Sequence, residues 1–116
     1  MRSILIVGAG RSSSALVRYL LDKSYSEKLK VIIADISIEN AEKLVKGHEN
    51  AEVVELDIFN TENRKNLVRK ADIVISMLPA RFHLEIAKDC LNFGKNLVTA
   101  SYISKELMEL DEILPN

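Results

Sequence analysis

Five short apolar runs punctuate the chain, at residues 4–7, 31–34, 53–56, 73–75 and 97–99. Most are continuous and rich in Val and Ile rather than alternating with polar residues. A strand with one wet face alternates, whereas a strand covered on both faces does not. Segments with helical spacing separate the runs. Leu16, Tyr19, Leu20 and Leu21 mark the first, and Ile38, Ala41, Leu44 and Val45 the second. Parallel strands joined through helices cross over in the right-handed sense. The pattern therefore predicts an α/β fold: a doubly wound parallel sheet of the Rossmann type, five strands in the order 3-2-1-4-5.

The first run ends in a turn with a chemistry of its own. Ile4-Leu5-Ile6-Val7 is followed by Gly8-Ala9-Gly10-Arg11-Ser12-Ser13 and then by the first helix. Glycine at position 8 allows backbone angles that a side chain forbids. Glycine at position 10 lets a phosphate approach the main chain, and the helix that follows offers N–H donors and the positive end of its dipole. Ser12, Ser13 and Ser14 add hydroxyls at that end. Ser13 stands where a third glycine usually serves close helix–strand packing, and its small side chain suits the same place. Strand, glycine turn and helix together predict a site for the pyrophosphate of a dinucleotide.

Asp35 ends the second run, twenty-five positions after Gly10, where an acidic residue usually follows at about 20. A carboxylate here accepts hydrogen bonds from ribose hydroxyls and repels a 2′-phosphate. Ile36 and Ser37 bring no cation to welcome one. The expected cofactor is NAD, with NADP left open by Arg11 and by the Ser37 hydroxyl. Asp57 and Ile58 follow the third run, beside the expected adenine pocket. Asp57 can accept from the adenine amino group or cap a turn.

The later segments are less regular. Residues 61–70 form a weaker helix with Thr61 as N-cap, Glu62 in its first turn and Leu67 and Val68 as apolar anchors. A fourth helix starts after Pro79, carries Phe82, Ile86, Ala87, Cys90 and Leu91 inward, and ends at Gly94. Ser104 can cap a fifth, with Leu107, Leu110 and Leu114 on one face. Met77-Leu78-Pro79 and Thr99-Ala100-Ser101-Tyr102 lie at the carboxyl ends of strands four and five, the ligand edge of such a sheet. Met77, Leu78 and the rigid Pro79 can wall the nicotinamide ribose. Thr99, Ser101 and Tyr102 place hydroxyls near a carboxamide or a substrate.

Composition excludes several classes. The chain has 116 residues, a net charge of −1 with both signs interspersed, and no Trp. It has neither a basic footprint nor an aromatic platform for nucleic acid. Its single cysteine, Cys90, forms no internal disulfide and falls on an apolar helix face, a packing position. No His, Cys or carboxylate cluster has metal-ligand spacing. His48 reads as an exposed loop residue and His83 as a surface or capping one. No apolar stretch approaches a membrane span and no secretory leader is present, so a cytoplasmic protein is expected.

Four segments resemble the N-terminal cofactor domain of the saccharopine dehydrogenase/reductase family. They are the glycine turn, Val74-Ile75-Ser76-Met77-Leu78-Pro79-Ala80-Arg81-Phe82-His83, Leu97-Val98-Thr99-Ala100-Ser101-Tyr102-Ile103-Ser104, and Met108-Glu109-Leu110-Asp111. The resemblance spans nearly the whole chain. It implies pyridine-nucleotide oxidoreduction at a secondary amine or imine of an amino-acid-derived substrate, in lysine metabolism. It also implies that substrate-binding and acid/base groups come from a following domain. On this reading residues 1–116 are one dinucleotide-binding domain, the N-terminal fragment of a longer enzyme, inactive alone; a homodimer is possible, and no catalytic residue is assigned. The main rival is a regulatory module that senses nucleotides to gate ion transport. A short-chain dehydrogenase or epimerase is a poorer fit, because Tyr102 is followed by Lys105, one position short of the Tyr-x-x-x-Lys pair.

Overall fold

The computed structural model of the protein describes residues 2–10, 13–79 and 82–99, with the backbone alone at His83 and Thr99. Arg11, Ser12, Ser101, Tyr102 and the expected fifth helix lie outside the described residues. In chain order the elements are β1 (Arg2–Val7), α1 (Ser14–Glu27), β2 (Leu29–Asp35), α2 (Ile38–Val45), β3 (Ala51–Glu55), α3 (Thr61–Lys70), β4 (Ile73–Ser76), α4 (His83–Phe93) and β5 (Asn96–Thr99). They form one five-stranded sheet in the order β3-β2-β1-β4-β5. Every pairing is parallel, with Ile4 opposite Val31 on one side and Ile73 on the other. The sheet order read from the sequence is the order observed.

The continuous apolar runs have a direct cause. Successive side chains of β1 point to opposite faces. Ile4 and Ile6 pack with Val17 and Leu21 of α1 and Ala41 and Val45 of α2. Leu5 and Val7 pack with Val68 of α3 and Ile86 and Cys90 of α4. Each face of the sheet thus has its own apolar layer. Each large side chain buried there contributes about 1.5–3 kcal/mol of transfer free energy. Burial also pushes the Cys90 thiol up to about 11, with the Asp89 carboxylate adding to the shift.

Boundaries differ from sequence expectation at identifiable places. β3 begins at Ala51 rather than Val53, because Ala51 pairs with Val31. Asn60, not Thr61, caps α3: its side chain accepts from the Asn63 N–H at 3.2 Å. Both residue types cap well, and the preceding turn decides between them. The Asn60 N–H donates to the Asp57 carbonyl at 2.8 Å, and Asn60 adopts the extended angles of a cap. α4 starts at His83, since the Phe82 N–H donates to the Pro79 carbonyl in a preliminary turn. Gly94 ends that helix in the left-handed conformation, as expected. Leu91, expected to face inward, is 82 % exposed, and Tyr19 of α1 also points outward. α3 turns Arg64 and Val68 inward, so a charged residue occupies an inner position.

Two measurements follow. Asn60→Ala should lower unfolding free energy in urea by about 1 kcal/mol, and Thr61→Ala by clearly less; the opposite ranking contradicts the cap assignment. The Cys90 thiol should resist alkylation in the folded chain at pH 8. Its raised value adds stability that is fully present below about pH 9 and lost as pH rises toward about 11. Denaturation curves at pH 8 and pH 10 read that loss, and an equal midpoint at both pH values contradicts it.

Candidate functional site

The carboxyl ends of β1, β2, β3 and β4 open onto one edge of the sheet. At that edge the two glycines of the turn do different work. Gly8 has φ +108°, and a Cβ on it would stand 3.3 Å from the Met77 carbonyl carbon and 3.4 Å from Leu78 Cδ2. Glycine is required there by the protein itself. Its N–H donates to the Ala34 carbonyl at 2.8 Å, and the Met77 N–H donates to the Val7 carbonyl at 2.8 Å. The turn is therefore clamped between β2 and the loop after β4.

Gly10 is the contrast. It does not adopt a left-handed φ, and a Cβ on it would meet nothing within 4 Å. No contact with the described residues accounts for glycine at this position. Its bare Cα faces open space beside a recess of about 250 Å³ that Ala9, Ser14, Asn40 and Lys43 also line. The N-terminus of α1 lies next to it, and the first turn of that helix carries no acidic residue. A helix start with these features is suited to an anion.

Ser13 departs from one sequence expectation. Its hydroxyl is buried and donates to the Gly8 carbonyl at 2.8 Å. It is spent on closing the turn and does not face an anion. The serine in place of a third glycine thus adds an internal bond as well as fitting the space.

Asp35, at the end of β2, is half-buried and bridges two segments. Oδ1 accepts from the Ala9 N–H and Oδ2 from the Ser37 N–H, both at 2.8 Å. Ser37 in turn caps α2, accepting from the Asn40 N–H. A carboxylate has about four lone-pair sites, so two bonds leave capacity for a ligand hydroxyl. Asp57 accepts from the Phe59 N–H at 2.9 Å and forms a tight turn; the capping role of the two open at this position is the one observed.

Beside the turn lies a mainly apolar cleft of about 330 Å³. Gly8 forms its floor, Asp35 and Ile36 one wall, Asp57, Ile58 and Phe59 the second, and Leu78 and Phe82 the third. The structure thus brings together Gly8, Asp35, Ile36, Asp57, Ile58 and Leu78 from four separate loops. Met77 packs under the turn, and Pro79 is exposed at the rim. Thr99 ends β5 opposite Ser76. Phe59 and Phe82 are the residues that sequence patterning missed. Their rings meet edge-on with centroids 5.9 Å apart. A phenylalanine two places after Asp57, in a loop at the ligand edge, was the available signal for the first. The second was hidden by its helical spacing.

A larger recess of about 450 Å³ between α1 and α2, lined by Arg18, Asp22, Lys46 and His48, touches none of the loops after β2, β3 or β4. Among the described residues no three His, Cys, Asp or Glu side chains converge as a metal site would require. Among them, too, no helix is long and apolar enough to cross a membrane.

With this geometry established, three comparisons locate the chain among known proteins. Residues 4–116 match the family described as the saccharopine dehydrogenase NADP binding domain. Alpha-aminoadipic semialdehyde synthase of Arabidopsis thaliana is 32% identical over 94% of this chain and 12% of its own length. Saccharopine dehydrogenase [NADP(+), L-glutamate-forming] of Pyricularia oryzae is 33% identical over 96% of this chain and 24% of its own. The solved structure of apo saccharopine dehydrogenase (L-Glu forming) from Saccharomyces cerevisiae superposes with a TM-score of 0.78 at 26% identity, covering 95% of this chain and 24% of that one. The chain therefore spans less than a quarter of the length of these relatives.

The two glycines give opposite expectations in the ligand-free protein. Gly8→Ala should cost about 1–3 kcal/mol, because it strains φ and crowds Met77. Gly10→Ala should stay within about 0.5 kcal/mol of the parent. Urea unfolding of both variants checks this, and equal losses contradict the division of roles.

Proposed function

The chain belongs to the saccharopine dehydrogenase NADP binding domain family, and we propose that it serves as the cofactor domain of an oxidoreductase acting on a secondary amine or imine of an amino-acid-derived substrate. Gly10 carries the cofactor assignment. Among the described residues its missing Cβ relieves no contact, and it lies at a helix start beside a clamped turn. A diphosphate resting there explains the residue.

The proposed placement follows the walls of the cleft. Gly8, Gly10 and the start of α1 hold the pyrophosphate, aided by Arg11 and by the Ser12 and Ser13 backbone. Asp35 and Ile36 meet the adenine ribose, and Asp57 and Ile58 the adenine. Met77, Leu78 and Pro79 flank the nicotinamide ribose. Thr99, Ser101 and Tyr102 are assigned, from the sequence, to the carboxamide or substrate. When bound, the nicotinamide supplies hydride exchange with a substrate carbon; the chain's own residues orient it and keep water from its adenine end.

We propose NAD over NADP as the preferred partner. The Asp35 carboxylate repels a 2′-phosphate, and Ile36 and Ser37 offer it no positive charge. Substrate recognition and proton transfer are assigned to a further domain, in keeping with relatives of more than four times this length. The same proposal includes a homodimer and a cytoplasmic location.

Thermal unfolding with added dinucleotide tests the reading. A ligand that binds only the folded state must raise the midpoint. NADH should raise it more than NADPH, and Gly10→Val should abolish the rise without unfolding the chain. A parent protein indifferent to both dinucleotides contradicts the assignment. Asp35→Asn should move the NADPH-to-NADH affinity ratio about tenfold toward NADPH, about 1.4 kcal/mol. Titration of both cofactors reads it, and an unchanged ratio removes Asp35 from the specificity role.

A further inference from the structure

Arg64 is only 4 % exposed, in a helix whose Glu62, Arg69 and Lys70 are exposed. A buried guanidinium is unfavourable unless its charge is paired and its N–H groups are satisfied. Here its bonds go in two directions. Nε donates to Asp89 Oδ2, and Nη2 faces Asp89 Oδ1 at 3.4 Å and Glu85 Oε2 at 3.7 Å. Nη1 points the other way and donates to the Ile58 carbonyl at 2.8 Å. Asp89 is itself buried, at 1 % exposure, on α4.

The second direction reaches the cofactor cleft. Ile58 and Phe59 form one of its walls. The loop that carries them is folded on itself by Asp57, which accepts from the Phe59 and Asn60 N–H groups. Those internal bonds set the shape of the turn, while the Leu56 N–H donates to the Asp35 carbonyl at 2.8 Å and Ile58 packs on the core. The bond from Arg64 adds a directional tie at the Ile58 backbone, from the buried ion pair. Across the cleft, Phe82 opens the same helix that supplies Glu85 and Asp89, and its ring meets that of Phe59. One ion pair therefore connects the two walls from beneath.

We propose that Arg64 is a positioning residue for the adenine end of the dinucleotide. Held by Asp89, it fixes the loop after β3 through the Ile58 carbonyl and so sets the width of the cleft. The proposal rests on the dinucleotide reading above. It also explains why arginine is needed. A guanidinium reaches a carboxylate and a carbonyl at once in a fixed fork, whereas an ammonium is a single point.

Calorimetric titration of the 116-residue chain with AMP, NADH and reduced nicotinamide mononucleotide tests it. The variants are Arg64→Lys, which keeps the charge, and Arg64→Met/Asp89→Leu, which replaces the pair by apolar groups and leaves no buried charge alone. Both should weaken AMP and NADH about tenfold and leave the mononucleotide unchanged. AMP affinity equal to the parent in a folded variant overturns the proposal alone, as does an equal loss for AMP and the mononucleotide, which signals general loosening. A parent that binds none of the three overturns the dinucleotide reading and this proposal with it. If neither variant folds, amide exchange in the parent decides. AMP should slow exchange in the loop at residues 58–60 and along α3 together, and protection confined to the loop overturns the coupling.

Discussion

At Gly8 three segments crowd into one place, and the rest of this edge of the sheet is arranged around that crowding. β2 approaches through the Ala34 carbonyl, α1 through the Ser13 hydroxyl, and the loop after β4 through the backbone of Met77. β1 is the central strand, paired on both sides; the chain leaves β1 toward β2 on one side and leaves β4 toward β5 on the other. Ligands of such sheets bind where the strand order reverses. Removing one Cβ lets the loops on either side of that point close to van der Waals distance. The two lips of the cleft are thereby fixed relative to each other before any ligand arrives.

Asp35 shows how a residue suited to recognition is also structural. Its carboxylate holds the Ala9 and Ser37 N–H groups, so it joins the glycine turn to the start of α2. These bonds orient the carboxylate as well as the turn. A carboxylate held at both oxygens presents its remaining lone pairs in a fixed direction. The converse is that substituting it disturbs the glycine turn it holds.

The two layers flanking the sheet are built differently. Between the sheet and α1 and α2, packing is apolar, with a small polar link from Asn50 to Ser24. The α3 and α4 layer combines an apolar core with the buried Arg64–Asp89 pair. An apolar layer gives stability that is roughly proportional to area and indifferent to direction. A buried ion pair gives little net stability but demands one geometry. The directional contact occurs on the side where the loop after β3 must stand at a set distance from the loop after β4.

The strand runs, the glycine turn, the acid at the end of β2 and the Gly94 stop were all legible in sequence order. Each depends on a local rule: burial on two faces removes alternation, a left-handed φ selects glycine, and a parallel sheet forces its crossovers. The same rules could not choose Asn60 over Thr61, turn Leu91 outward, or pair Phe59 with Phe82, because these follow from where a distant segment comes to rest. They did assign Gly8 to backbone angles and Gly10 to close approach, but they could not supply the partner that crowds Gly8, Met77, nearly seventy positions later, or show that no described residue crowds Gly10. The amino-acid order alone determined the sheet, its connectivity and the edge that meets a ligand, since those arise from periodicity and backbone stereochemistry. Tertiary structure alone decided which side chains turn inward to hold that edge in shape, since a hydrogen bond between Arg64 and Ile58, or between Asp35 and Ala9, exists only once packing has brought the two ends together.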